Sequence, residues 1–220
     1  KRVSITPETA KNIINLGLKV IIENNYATHI GITDKEYEAV GVEIKNSSKE
    51  VLNYCNLLTK VNCPSDDEIL NLKDKTILIG MLNPSKNQSK INDIVKKGIN
   101  VFSLELLPRI SRAQSMDVLS SQSNLAGYRS VVDSIYEFEK AIPMMMTAAG
   151  TVPAAKVLVI GAGVAGLQAI ATAKRLGAIV SATDVRAASK EQVESLGGKF
   201  LTVEQSENLE TKEGYAKEAS

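Results

Sequence analysis

Residues 156–186 constrain this chain more tightly than any other stretch. Val157-Leu158-Val159-Ile160 is an unbroken apolar run, the pattern expected of a central parallel strand buried on both faces. It leads directly into Gly161-Ala162-Gly163-Val164-Ala165-Gly166. In such a turn the first glycine permits the tight bend, the second lets backbone approach a pyrophosphate, and the third allows close contact between helix and strand. The spacing predicts a helix over 164–176, whose first amides, at Val164 and Ala165, would face the phosphates with the positive end of the helix dipole. A second strand over 178–183 ends on Asp184, close to the offset of about 20 residues at which a carboxylate accepts hydrogen bonds from a ribose. Val185 and Arg186 follow; Arg186 has two level readings, over an adenine or in solvent. A glycine triplet alone is weak, but strand, helix, second strand and acid together predict a dinucleotide site. A 2′-phosphate would meet the charge of Asp184, so the expected cofactor is NAD/NADH.

Composition narrows the remainder. With 26 basic and 25 acidic residues and 4% aromatics, the chain has neither a phosphate-tracking stripe nor a stacking platform, and no nucleic-acid partner is expected. No stretch approaches the roughly 18 consecutive apolar residues that cross a bilayer, so no direct membrane insertion of this part is expected. Cys55 and Cys63 have no Cys-x-x-Cys partner and no nearby His, which predicts free thiols in a reducing compartment and no metal. The first residue is Lys1, the last, Ser220, falls in a polar stretch, and the chain is read as a C-terminally truncated fragment.

The N-terminal half alternates helical and strand-like segments. Thr6-Pro7-Glu8 is a helix start, and Ser65 with Glu68 forms a capping box. Leu18–Ile22, Leu57–Val61, Thr76–Ile79 and Ile99–Phe102 read as strands; Ile91, Ile94 and Val95 make a helical stripe closed by Gly98. From Ser115 to Lys140, Val118, Leu125, Val132 and Ile135 suit one long helix packed on a single face. Pro143, Gly150 and Pro153 then punctuate a loop. The expected fold is α/β: two Rossmann-like domains with parallel sheets separated by a cleft. An N-terminal flavodoxin/Rossmann-like domain covers 1–121, and an incomplete NAD(H)-binding Rossmann domain covers 122–220.

Pro108–Asp117 with Val118–Gln122, Met144–Pro153, Lys156–Arg186 and Lys190–Gly198 together resemble the NAD(H)-binding component of proton-translocating NAD(P) transhydrogenase. The resemblance implies hydride transfer between NADH on this component and NADP+ on a separate NADP-binding component, coupled to a membrane-embedded proton-channel component. It also implies a homodimer, and a soluble peripheral position on a membrane-bound complex. The family's loop over the nicotinamide has Arg, Gln five positions on, and Asp three beyond; these fall on Arg109, Gln114 and Asp117. Arg109 and Asp117 can pair to fix the loop, and Gln114 can hydrogen-bond near the ring without adding charge. Ile110, Ser111, Arg112 and Ser120 are further expected contacts, with Tyr128 on the same helix. Gly214-Tyr215 resembles the start of the family's mobile loop.

Two other readings compete. Alanine dehydrogenase resembles the chain more distantly, but its reaction needs a base, a His in that family, and Asn83 in Gly80–Pro84 stands near that place. Arg2 and Lys60 resemble its carboxylate-holding positions. His29, the one His of the chain, aligns with no catalytic position and reads as a loop or core residue. The third reading is a non-catalytic NAD-binding sensor.

Overall fold

A computed structural model describes residues 2–108 and 110–202. The chain divides into two compact units, Lys1–Met116 and Asp117–Ser220.

In the first unit, α1 (Pro7–Asn15) starts where Thr6 accepts the Thr9 amide and Pro7 occupies the first turn, as the sequence requires. β1 (Ile21–Glu23) follows; it begins three residues later than expected, and Leu18 is exposed. After α2 (Asp34–Glu38), capped by Thr33 with Glu36, β2 (Glu43–Lys45) pairs parallel with β1, Ile22 opposite Ile44. Next come α3 (Ser48–Tyr54), β3 (Leu57–Asn62), α4 (Asp66–Asn71) with the Ser65–Glu68 box, and β4 (Ile77–Met81). α5 (Gln88–Lys96) leads to β5 (Asn100–Ser103). The order β3-β4-β5 is parallel throughout, with Leu58 opposite Leu78 and Leu78 opposite Val101. Lys97 closes α4 from outside: its ammonium donates to the carbonyls of Ile69, Leu70 and Leu72, at 2.7–3.0 Å, satisfying acceptors the helix end leaves open.

In the second unit, α6 (Val118–Phe138) is the long helix the sequence predicts. Its buried face differs from the expected stripe: Gly127 and Val131 are buried, whereas Leu125 is 59% exposed. The reason is backbone contact. A Cβ on Gly127 would lie 2.1 Å from the Ala165 carbonyl oxygen, so the bare glycine decides which face of α6 meets α7 (Val164–Arg175). The expected loop after Pro143 contains an antiparallel hairpin, β6 (Met145–Thr147) with β7 (Gly150–Val152), exposed on both strands.

β8 (Lys156–Ile160), β9 (Ile179–Thr183) and β10 (Lys199–Phe200), with α8 (Ser189–Ser195) between the last two, form a parallel sheet ordered β10-β9-β8. The apolar run predicts a β8 that is central and buried on both faces. Among the described residues it is instead the sheet edge, with Val157 and Val159 turned inward while Leu158 and Ile160 are 56% and 81% exposed. β9 is the central strand, and Val180 and Ala182 pack against Ile170, Ala173 and Val193.

Gly127→Ala should lower stability by about 1–3 kcal/mol in urea denaturation, because the added methyl forces α6 away from the α7 backbone. Leu125→Ala on the exposed side of the same helix should change it by less than about 0.5 kcal/mol.

Candidate functional site

The glycine turn is assembled from three different uses of a missing Cβ. Gly161 has φ +91°, a left-handed conformation, while its amide donates to the Thr183 carbonyl at 2.8 Å and extends the β8–β9 ladder. Gly163 is the N-cap of α7; a Cβ built there meets only Arg186 Nη2, at 4.0 Å, so the space beside it is open. Gly166 is the tightest: its Cβ would sit 1.9 Å from the Gly161 carbonyl oxygen. The nearest strand atom, Val159 Cγ1, is 3.5 Å away. The third glycine therefore presses helix against turn more than helix against strand, the contact the sequence pattern predicts.

The first backbone bond of α7 runs from the Leu167 amide to the Gly163 carbonyl at 2.8 Å. No side chain caps this helix and no acid lies in its first turn. The amides of Val164 and Ala165, both at the surface or half-buried, thus belong to the helix end that attracts an anion. In front of that end, a Cβ at Gly163 would meet nothing nearer than 4.0 Å.

Asp184 follows β9, and its side chain is 5% exposed. Its Oδ2 accepts the Ala162 amide at 2.6 Å, and its Oδ1 accepts the Arg186 amide at 2.8 Å. The Arg186 guanidinium donates to both oxygens at 2.9 Å, a two-point ion pair. Those bonds, the guanidinium's first, hold the carboxyl down at about 2. Arg186 thus folds back on Asp184, and Val185 between them is exposed. The Asp-x-Arg spacing is the signal in the sequence that could have found this pair.

The residues around Gln114 lie in a short 3₁₀ helix, Ser111–Met116, where Ser111, Arg112 and Gln114 are exposed, as is Ile110 before it. Asp117 caps α6: its carboxylate accepts the Ser120 amide at 2.9 Å and the Ser120 hydroxyl at 2.6 Å. Ser120 is therefore a capping partner. Tyr128 is exposed on α6. Arg109, Gly214 and Tyr215 lie outside the described residues.

The remaining candidates sit in the first unit. Lys60 is ion-paired with Glu68, and an Arg2 nitrogen lies 3.9 Å from the Met81 sulfur. Asn83 has φ +47°, and its amide donates to Glu105, whose carboxylate also takes the Leu82 amide at 3.3 Å and the Ser103 hydroxyl at 2.7 Å. The Asn83 side-chain oxygen accepts from Ser85 at 3.2 Å. His29 is exposed in a single 3₁₀ turn. Cys55 is buried and Cys63 half-buried, both free, and burial pushes both thiols up. Among the described residues no His, Cys, Asp or Glu cluster is arranged to hold a metal ion.

Residues 1–126 match the N-terminal domain of the alanine dehydrogenase/PNT family and residues 130–219 match its C-terminal domain. The chain belongs to the alanine dehydrogenase/PNT family. Within that family it is 53% identical, over 99% of its length, to the first segment of NAD(P) transhydrogenase subunit alpha of Rhodospirillum rubrum, and spans 58% of that relative. The alanine dehydrogenase of Methanococcus maripaludis is 29% identical over 91% of the chain, which covers 54% of that protein. The crystal structure of transhydrogenase from Sinorhizobium meliloti superposes with a TM-score of 0.88 at 50% identity, covering 91% of this chain and 60% of that one. The transhydrogenase side of the family is the nearer in sequence, and the α/β architecture with parallel sheets is shared.

The depressed Asp184 carboxyl sets a pH test. Its stabilisation is fully present above the ordinary carboxyl range and is lost as pH falls through its folded value, about 2. Thermal melts from pH 5 to 2 should show a shallower acid loss for Asp184→Asn than for the unaltered chain.

Proposed function

We propose that this chain is the NAD(H)-binding part of a proton-translocating NAD(P) transhydrogenase. The observation that carries the reading is the open space beside Gly163, in front of the uncapped start of α7, with Asp184 closing the neighbouring strand end. Amides of the α7 start neutralise a pyrophosphate without a cation. Asp184 supports choice of NADH over NADPH, because a 2′-phosphate placed beside a carboxyl held anionic is repelled. A ribose hydroxyl reaching Asp184 shares or displaces the Arg186 guanidinium, so Arg186 shifts when nucleotide binds.

Bound NADH supplies a hydride, and its transfer to a second nicotinamide needs no acid or base from the protein. The chain's part is to orient the ring and exclude water. In this reading Arg109, Gln114 and Asp117 act at the nicotinamide end, with Ile110, Ser111, Arg112 and Ser120 beside them. Gln114 is neutral and exposed, and Asp117 fixes the start of α6.

The partners are an NADP-binding component, a membrane-embedded proton-channel component, and a second copy of this chain. Among the described residues no helix is long and apolar enough to cross a membrane, which supports a peripheral position on that complex. Alanine deamination is the weaker reading, since Asn83 stands where resemblance puts the base and an amide takes no proton at neutral pH.

The full-length chain mixed with a transhydrogenase NADP-binding component should pass hydride from NADH to NADP+, and should not turn over alanine with NAD+. Alanine turnover without transfer would overturn the assignment. Gln114→Ala should slow transfer at least about tenfold while changing NADH affinity less. Gly163→Val should weaken NADH binding about tenfold or more with the melting temperature nearly unchanged, because the added side chain enters open space, not packed protein.

A further inference from the structure

Helices α6 and α7 run side by side in the same direction. Gly127 of α6 lies against the Ala165 carbonyl near the start of α7, and Val131 joins Ala169, Ile170 and Ala173 in one apolar cluster. Pro143, beyond α6, meets Gly177 just past α7: a Cβ on that glycine would stand 2.8 Å from the Pro143 Cβ. The helices end together but do not start together. α6 begins at Val118, nine residues ahead of Gly127, whereas α7 begins at Val164, one residue ahead of Ala165. Two turns of α6, about 12 Å at 1.5 Å per residue, therefore project beyond the start of α7. Burial marks the same point, since the buried residues of α6 are Gly127 and Val131 while residues 118–126 are exposed or half-buried.

This arm is held to α7 at its base. At Gly127 backbone meets backbone, and an added Cβ would lie 2.1 Å from the Ala165 oxygen and 2.8 Å from its carbonyl carbon. One turn nearer the tip, the Asn124 side-chain amide donates to the Gln168 side-chain oxygen at 3.1 Å. Gln168 is itself fixed, donating to the Thr172 hydroxyl at 3.0 Å. At the tip, Asp117 accepts the amide and the hydroxyl of Ser120. The base of the arm thus touches Ala165, whose amide belongs to the helix end that attracts an anion, and the tip carries Asp117 and Ser120. Their separation is on the scale of the ribose and ring that follow the pyrophosphate in an extended dinucleotide.

We infer that Gly127 is a positioning residue for hydride transfer, an inference that rests on the proposed place of Asp117 and Ser120 beside the nicotinamide. Gly127 sets the reach and angle of the α6 arm, and so where the ring sits relative to the pyrophosphate; it acts through the helix and not through contact with nucleotide. A side chain at position 127 needs more than about 1 Å of added separation from Ala165. A tilt about that contact grows along the arm toward its tip. The glycine turn moves less, because Gly166 holds α7 against the Gly161 carbonyl from another side. The phosphate half of the dinucleotide keeps its seat while the nicotinamide half loses its alignment.

Calorimetric titration of the full-length protein with NADH and with ADP-ribose, which lacks only the nicotinamide, separates the two halves. The unaltered protein should bind NADH at least about tenfold more tightly than ADP-ribose. Gly127→Ala should weaken NADH binding about tenfold or more and ADP-ribose binding no more than about threefold. Val131→Ala hollows the core between α6 and α7 below the arm, so it should lower the melting temperature comparably and leave both affinities within about twofold. Equal loss for the two ligands in Gly127→Ala, or the same NADH-selective loss in Val131→Ala, overturns the proposal. If the unaltered protein binds NADH no more tightly than ADP-ribose, the placement of Asp117 and Ser120 at the ring is overturned, and the proposal with it. If Gly127→Ala does not fold, Asn124→Ala removes the second contact without adding bulk and should show an NADH-selective loss of about threefold. A loss in that variant without selectivity, or no loss, overturns the proposal equally.

Discussion

Helix α7 is held by two contacts in which glycine lets backbone meet backbone, and the candidate site depends on both. On one side Gly166 lies against the Gly161 carbonyl, where a Cβ would stand 1.9 Å away; on the other, Gly127 of α6 lies against the Ala165 carbonyl, where it would stand 2.1 Å away. Protein interiors transmit small volume changes because they are close-packed. The first turn of α7 is consequently fixed from the glycine turn below and from the long helix beside it. Its amides are aimed before any nucleotide arrives, which lowers the ordering cost of binding.

Asp184 completes that fixation from the strand side. One carboxyl oxygen takes the Ala162 amide inside the turn, and the other takes the Arg186 amide, so the end of β9 and the glycine turn move as one. The guanidinium adds a charge that keeps the carboxylate ionised and nearly buried. The same carboxylate is thus a structural tie and, in the proposed function, the group that meets the ribose.

The sequence makes legible what is local. Thr6, Ser65 with Glu68, and Gly161 act through bonds or backbone conformations spanning a few residues, and each stands where the pattern puts it. It fails where an outcome depends on what lies across the fold. Leu125 has the periodicity of a buried position, but Gly127 brings the other face of α6 to α7. β8 has the unbroken apolar pattern of a central strand, and among the described residues it has one neighbour, β9; a run of five residues does not encode how many strands flank it. The hairpin of β6 and β7 is hidden by Pro143 and Pro153, which flank the paired residues without interrupting them. At the candidate site the glycine spacing is legible, whereas the Asp-x-Arg spacing admits the Asp184–Arg186 pair without choosing it over a ribose contact. Lys60 is a similar case: its match to a carboxylate-holding position says nothing of Glu68, which the Ser65 cap brings within reach.

Amide chemical shifts measured on the full-length protein during titration with NADH test the central claim most directly, because they locate the nucleotide without relying on activity. The largest changes should fall on Gly161 to Ala165 and on Arg186, with NADPH producing them only at far higher concentration. Unchanged shifts across the glycine turn at saturating NADH, or equal response to the two nucleotides, would contradict it.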